Sequence, residues 1–374
     1  MNWIQQLKGT LEKLKAEGQY RSLKKYDKCD FISNDYLGII NSGELNEYIT
    51  EYTTIFETAD FGSGGSRLLR GNTETHENAE LFFKQYFNCA DTLIANSGYD
   101  ANLAVLSALP QRKDIILYDE KVHASIKEGM RLSFASKYSV RHNDLNDLEK
   151  KIKKYRHLKP EAVLFFVFET VYSMDGDIPN LTELVSIAQE YEVVLIADEA
   201  HAFGVFGKKG EGLLQSQKLH KHVAVRIFGF GKAAGTYGAV IAVQDRAIKE
   251  YLINTARSII YTTALSPFQV EIMQISAELI ESNPEWREEL HENIQTFQEK
   301  LPYLDIESPI IPIIIGDNTE LLHVFNKLQR KGFDVAMVRS PTVPRGQERL
   351  RISVHAHNLE IEILSLLNTL LPYL

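Results

Sequence analysis

The 374-residue chain carries only two cysteines, Cys29 and Cys89. They form no CxxC pair and no disulfide framework, which fits a reducing compartment, the cytoplasm. Long apolar runs are also missing. Runs such as residues 162–168 fall far short of the ~20 residues that cross a bilayer, and residues 1–8 are amphipathic without a signal-peptide core. No membrane association is expected. Positive charge is in the minority: 41 Lys and Arg stand against 50 Asp and Glu, a net charge of -9. No basic stripe dominates, which argues against nucleic acid as a partner. Lys150, Lys151, Lys153 and Lys154 are flanked by acids on both sides and read as a solvated helix face.

A phosphate loop of the form GxxxxGK[ST] is absent as well. Gly231-Lys232 is followed by Ala233, and Gly207-Lys208 by Lys209. Asp198-Glu199-Ala200-His201 spells a helicase motif, but without that loop it does not signify nucleotide hydrolysis. Gly62-Ser63-Gly64-Gly65-Ser66-Arg67 lacks the third glycine and the preceding strand of a dinucleotide-binding turn.

What is present is an alternation of short apolar runs and amphipathic helical stretches from about residue 90. Residues 92–95, 114–118, 162–168, 193–197 and 223–228 are predicted strands, and 102–109, 145–155 and 181–191 are predicted helices. Asn180 with Glu183 three residues on forms a capping pair for the last of these. The alternation predicts an α/β fold, a mostly parallel central sheet flanked by helices. Residues 1–25 read as a packing helix, with Trp3, Ile4, Leu7, Leu11 and Leu14 on one face. Beyond Pro267 a long helix over 268–301 leads to strands at 310–315, 333–338 and 350–354 and helices at 319–331 and 359–371. The expected organisation is an N-terminal helix and arm (1–45), a large α/β domain (46–267) and a smaller C-terminal α+β domain (268–374).

Ligands in parallel sheets bind beyond the carboxyl ends of the strands. Ser97, Gly98, Tyr99, Glu169, Asp198 and His201 all follow predicted strands. Asp198 closes five apolar residues, where a carboxylate is costly without a cationic partner. Lys232 lies among Gly229, Gly231 and Gly235, where burial lowers an amine pKa and frees a nucleophile. An acid for a pyridine nitrogen and an amine for a Schiff base are what pyridoxal 5'-phosphate chemistry requires. Asn96-Ser97-Gly98-Tyr99 opens a helix whose first N–H groups suit a phosphate. His123, after a strand and turn, could stack on such a ring.

Several segments together resemble the α-oxoamine synthases, pyridoxal-phosphate enzymes of the aspartate aminotransferase fold, from about Phe31 to the C-terminus. They are Ser33-Asn34-Asp35-Tyr36-Leu37-Gly38, Gly62-Ser63-Gly64-Gly65-Ser66-Arg67-Leu68, Val171-Tyr172-Ser173-Met174-Asp175-Gly176-Asp177, the Lys232 segment, Tyr261-Thr262-Thr263-Ala264-Leu265 and Pro341-Thr342-Val343-Pro344. The resemblance implies that Lys232 holds the cofactor as a Schiff base and acts as the base. It also implies that Asp198 pairs with the ring nitrogen, that His201 meets the ring oxygen with Ser173 nearby, and that His123 stacks on the ring. Gly98 and Tyr99 would meet the phosphate. Thr263 would reach the phosphate in a partner subunit, which implies a homodimer. Asn34, Thr342 and Arg351 would face substrate, with Arg351 on the amino-acid carboxylate.

The implied reaction is decarboxylative condensation of L-alanine with pimeloyl-CoA or pimeloyl-acyl carrier protein, a step of biotin synthesis. The alternatives are a related synthase using glycine or serine, an aminotransferase, or a non-catalytic protein that keeps the fold. The chain departs from the family at Gly229, where a threonine or serine usually touches the phosphate. The N-terminal arginine that meets the acyl chain has its nearest match in Gln19-Tyr20-Arg21.

Overall fold

The computed structural model describes residues 2–17, 19–55, 61–340 and 342–374; Pro341 of the Pro341-Thr342-Val343-Pro344 segment lies outside the described residues. The chain forms two compact units. The larger comprises Asn34–Ile310 and Val354–His357, and the smaller Met1–Ser33, Ile311–Ser353 and Asn358–Leu374.

In chain order the strands are β1 (Cys29–Phe31), β2 (Asp91–Ala95), β3 (Ile115–Asp119), β4 (Ser136–Val140), β5 (Leu164–Glu169), β6 (Val194–Asp198), β7 (Val225–Gly229), β8 (Ala239–Val243), β9 (Ile310–Ile314), β10 (Phe333–Val338) and β11 (Arg349–Ser353). The large unit holds a seven-stranded sheet of order β2-β8-β7-β6-β5-β3-β4. Only β8 runs antiparallel to its neighbours. This is the mostly parallel, helix-flanked α/β sheet that the alternation predicts.

Every residue of β5, β7 and β8 is buried, as unbroken apolar runs require in a sheet covered on both faces. The capping pair forms as read: Asn180 Oδ1 accepts from the Glu183 amide at 3.2 Å, and Asn180 Nδ2 donates to Glu183 Oε2 at 2.9 Å.

Three expectations need correction. The helix read over 268–301 is two, Pro267–Ser282 and Pro284–Lys300. Pro284 has no N–H to continue the first and pushes Asn283 out of helical geometry, to φ -119° and ψ 71°. The N-terminal helix spans only Trp3–Ala16 and buries none of its residues; Trp3 stays 67% exposed. Within this chain the apolar face that its periodicity implied would pack is left uncovered. β4 was not anticipated either: Ser-Lys-Tyr-Ser-Val is an edge strand with three exposed residues and no apolar run. The smaller unit carries the four-stranded sheet β1-β10-β11-β9, including the three-residue β1, too short for a periodic signal.

Candidate active site

Because β2, β3, β5, β6 and β7 run in one direction, the segments after them emerge at one edge of the sheet. Glu169 and Asp198 are the last residues of β5 and β6 and sit side by side in register. A cavity of about 190 Å³ opens there, and its lining includes Gly98, Tyr99, His123, Asp198, His201 and Lys232.

One wall of the cavity is bare backbone. The helix Gly98–Ala108 begins at the cavity, capped by Ser97, whose Oγ accepts from the Asp100 amide at 3.1 Å. A Cβ on Gly98 would lie 3.7 Å from the Gly229 Cα, and a Cβ on Gly229 would lie 3.3 Å from the Ala200 Cβ. Three chain segments therefore converge there with no side chain larger than the Ala200 methyl group. With the positive end of an eleven-residue helix facing them, they form a cradle for an anionic group such as a phosphate.

The opposite side is acidic. Asp198 is buried; Oδ1 accepts from the Ala200 amide at 2.9 Å and Oδ2 from Asn102 Nδ2 at 2.7 Å. Asn102 Nδ2 also donates to Ser125 Oγ at 3.0 Å, and that hydroxyl lies 2.8 Å from His123 Nδ1. A chain of hydrogen bonds thus joins His123 to Asp198. Asn102 Oδ1 is buried with no hydrogen-bond partner, so this polar wall has an acceptor to spare. Burial, aided by the Lys232 charge, lowers the His123 pKa against the pull of Asp198. That favours a neutral imidazole, suited to stacking on an aromatic ring.

Glu169 braces two of these turns. Its Oε1 accepts from the His123 amide at 2.5 Å and its Oε2 from the Ser173 amide at 3.3 Å. Complete burial, reinforced by the Asp198 charge, raises its pKa well above the usual carboxylate value.

Lys232 is half-buried in the turn between β7 and β8. The Phe230 amide donates to the Gly238 carbonyl at 3.0 Å, and the Gly235 amide to the Lys232 carbonyl at 2.9 Å. Gly235 has φ +59°, and a Cβ there would lie 3.0 Å from Ile39, so only glycine closes the turn without strain. His201 Nδ1 lies 2.7 Å from the Tyr36 hydroxyl, which also reaches Asn34 Oδ1 at 3.0 Å.

Six of the residues given a cofactor or catalytic role from the sequence, Gly98, Tyr99, His123, Asp198, His201 and Lys232, therefore line one cavity. Ser173 is buried behind it on Glu169, and Asn34 connects to it through Tyr36. Thr263 is exposed and outside the cavity lining; its carbonyl accepts from Asn96 Nδ2 at 2.8 Å. Arg351 and Thr342 belong to the smaller unit. There Arg351 is buried on β11 with Nη1 2.7 Å from Ser353 Oγ, and Thr342 Oγ1 accepts from Arg21 Nη2 at 3.3 Å. Sequence reasoning passed over Asn102 and gave Tyr36 and Glu169 no role of their own. The signal for Asn102 was an amide one turn into the helix opened by Gly98, next to the apolar run Leu103-Ala104-Val105-Leu106.

The family model of aminotransferase class I and II matches residues 26–368. Over 362 residues, 95% of this chain and 91% of the relative, the sequence is 38% identical to a Geobacillus kaustophilus protein provisionally named 8-amino-7-oxononanoate synthase. A Halalkalibacterium halodurans protein of the same provisional name is 35% identical over 97% of this chain and 94% of its own length. Among solved structures, a serine palmitoyltransferase from S. paucimobilis with PLP and myriocin bound superposes with a TM-score of 0.87. It is 25% identical and covers 99% of this chain and 97% of its own. The 8-amino-7-oxononanoate synthase of Francisella tularensis superposes with a TM-score of 0.75 and 31% identity, covering 92% and 96%.

Proposed function

Because the chain belongs to the aminotransferase class I and II family and is a pyridoxal-phosphate-dependent acyltransferase of the α-oxoamine synthase type, we propose that it condenses L-alanine with a pimeloyl thioester. The products are 8-amino-7-oxononanoate, the free thiol and carbon dioxide, as in biotin synthesis. The observation that carries this reading is that Lys232 and Asp198 line one cavity together with a backbone cradle at a helix start.

The residues present fit the cofactor. The glycine-walled cradle suits its phosphate, the buried Asp198 its protonated ring nitrogen, and the Lys232 amine its aldehyde carbon. When bound, pyridoxal phosphate supplies an electron sink for charge that develops at the amino acid's α-carbon. Asp198, fixed by Asn102 and the Ala200 amide, keeps the ring nitrogen protonated. Lys232 Nζ takes the α-proton and later returns it. His123, with its backbone anchored by Glu169 and its pKa lowered by burial, would stack on the ring as a neutral imidazole. The family resemblance gives Arg351 the amino-acid carboxylate as its partner, and a substrate held at that group would have its breaking bond selected by orientation. Arg21, the nearest match to the family's N-terminal arginine, donates to Thr342 Oγ1 at 3.3 Å.

Thr263, exposed at the cofactor domain's surface, completes the phosphate site of a partner subunit in a homodimer. Acyl carrier protein and coenzyme A are the two carriers to be compared. Among the described residues no helix is long and apolar enough to cross a membrane. Mass spectrometry of the product after incubation with pimeloyl-CoA, pyridoxal phosphate and a mixture of amino acids tests the reading. The alanine-derived aminoketone is expected; a serine- or glycine-derived product would move the substrate assignment within the family, and a keto acid would overturn it.

A further inference from the structure

Tyr36 is fully buried, with 0% of its surface exposed, and it spends its hydroxyl on two partners. The oxygen lies 2.7 Å from His201 Nδ1 and 3.0 Å from Asn34 Oδ1. The rest of the residue is immobilised. Its carbonyl accepts from the Ala356 amide at 2.8 Å, and its ring stacks on His355 with centroids 6.4 Å apart. Two residues on, Gly38 takes φ +73° with its amide on the Asp35 carbonyl at 2.8 Å, so the segment turns sharply around the phenol.

A phenol has one hydrogen to give. Given to Asn34, it leaves Tyr36 accepting from Nδ1–H, and His201 then presents a lone pair at Nε2. Given to His201 Nδ1, it puts the ring hydrogen on Nε2, and His201 becomes a donor there. The partner of one imidazole nitrogen thus sets what the other can do. His201 lines the cavity, so this choice reaches the ligand.

We propose that Tyr36 is a positioning residue for the cofactor: by donating to Nδ1 it holds His201 as the Nε2–H tautomer, which then donates to the anionic ring oxygen of bound pyridoxal phosphate. The inference rests on the cofactor assignment above. The 2.7 Å contact is the shorter of the two and joins two buried side chains. A half-turn of the Asn34 amide presents Nδ2 to the phenol oxygen, so Asn34 can donate to Tyr36 while Tyr36 donates to His201.

Tyr36→Phe removes the hydroxyl and keeps the ring. Two readouts separate this proposal from the cofactor reading. The first is the 15N spectrum of histidine-labelled protein without cofactor, with the His201 signals assigned by their loss in His201→Asn. His201 should show the Nε2–H pattern in the wild type and a mixture of tautomers in Tyr36→Phe. The second is the absorbance of the cofactor-loaded protein. A donor at the ring oxygen favours the long-wavelength form, in which the imine nitrogen holds the proton. Tyr36→Phe should therefore lower the ratio of long- to short-wavelength bands several-fold.

Asn34→Ala removes the competing acceptor and should preserve or strengthen the Nε2–H pattern. A wild-type tautomer pattern in Tyr36→Phe, or its loss in Asn34→Ala, overturns the proposal. A wild type that forms no lysine-linked cofactor band overturns the functional reading instead, and the 15N arm still decides the role of Tyr36.

Discussion

The imidazole of His142 is clamped between two carboxylates, with Nδ1 2.9 Å from Asp119 Oδ1 and Nε2 2.7 Å from Asp177 Oδ2. Asp119 ends β3 and leads into the turn that carries His123; Asp177 closes the segment that carries Ser173. The Tyr172 ring stands edge-on to the imidazole at 4.5 Å. His142 therefore ties together two turns of the candidate site while lying outside the cavity lining.

That clamp has a pH signature. Burial by itself would lower the His142 pKa, but the hydrogen bonds and charges of Asp119 and Asp177 outweigh it and raise the value to about 9. A raised folded-state pKa means stabilisation fully present below the unfolded value of about 6.5 and lost as pH rises through about 9. The shift corresponds to a contribution on the order of 3 kcal/mol. Thermal unfolding of wild type and His142→Gln across that window should show a large difference at neutral pH that shrinks above pH 9. A difference that does not change with pH would show that the imidazolium charge plays no part.

Glu169 should matter through both of its oxygens. Glu169→Gln keeps the volume but replaces one acceptor with a donor, so one of the His123 and Ser173 amides loses its partner. Leaving a buried amide unpaired costs about 1–3 kcal/mol. The expected outcome is a lower Tm and faster loss of cofactor on dialysis. Wild-type values for both would mean that the two turns hold themselves.

The family resemblance implies a phosphate-contacting hydroxyl at the position that Gly229 occupies. Its substitution is crowded but not blocked: a Cβ would sit 3.3 Å from the Ala200 Cβ, so Ala200 must yield by a few tenths of an ångström. Gly229→Thr should cost the cofactor-free protein about 1 kcal/mol from overpacking and slow cofactor loss from the loaded protein. Unchanged or faster loss would indicate that another group already fills that position.

How far the site was legible from sequence depends on the range of the interaction. Asp198 and Lys232 could be read because each has a local signature, an acid closing an apolar strand and a lysine among glycines. The strands themselves were visible as apolar runs, because both faces of the sheet are covered. The contact of Tyr36 with His201 joins residues 165 apart, and Asn102 reaches Asp198 across 96; no local pattern encodes either. β4 hid because an edge strand needs few apolar residues. The break at Pro284 was written in the sequence, and the helical periodicity on both sides of it obscured it.

Borohydride reduction of the cofactor-loaded protein, followed by peptide mapping, bears most directly on the claim that one cavity unites Lys232 with Asp198. The phosphopyridoxyl mass should appear on the peptide containing Lys232 and nowhere else, and Lys232→Ala should lose both the label and turnover. A label on another lysine, or turnover at the wild-type rate in Lys232→Ala, would contradict it.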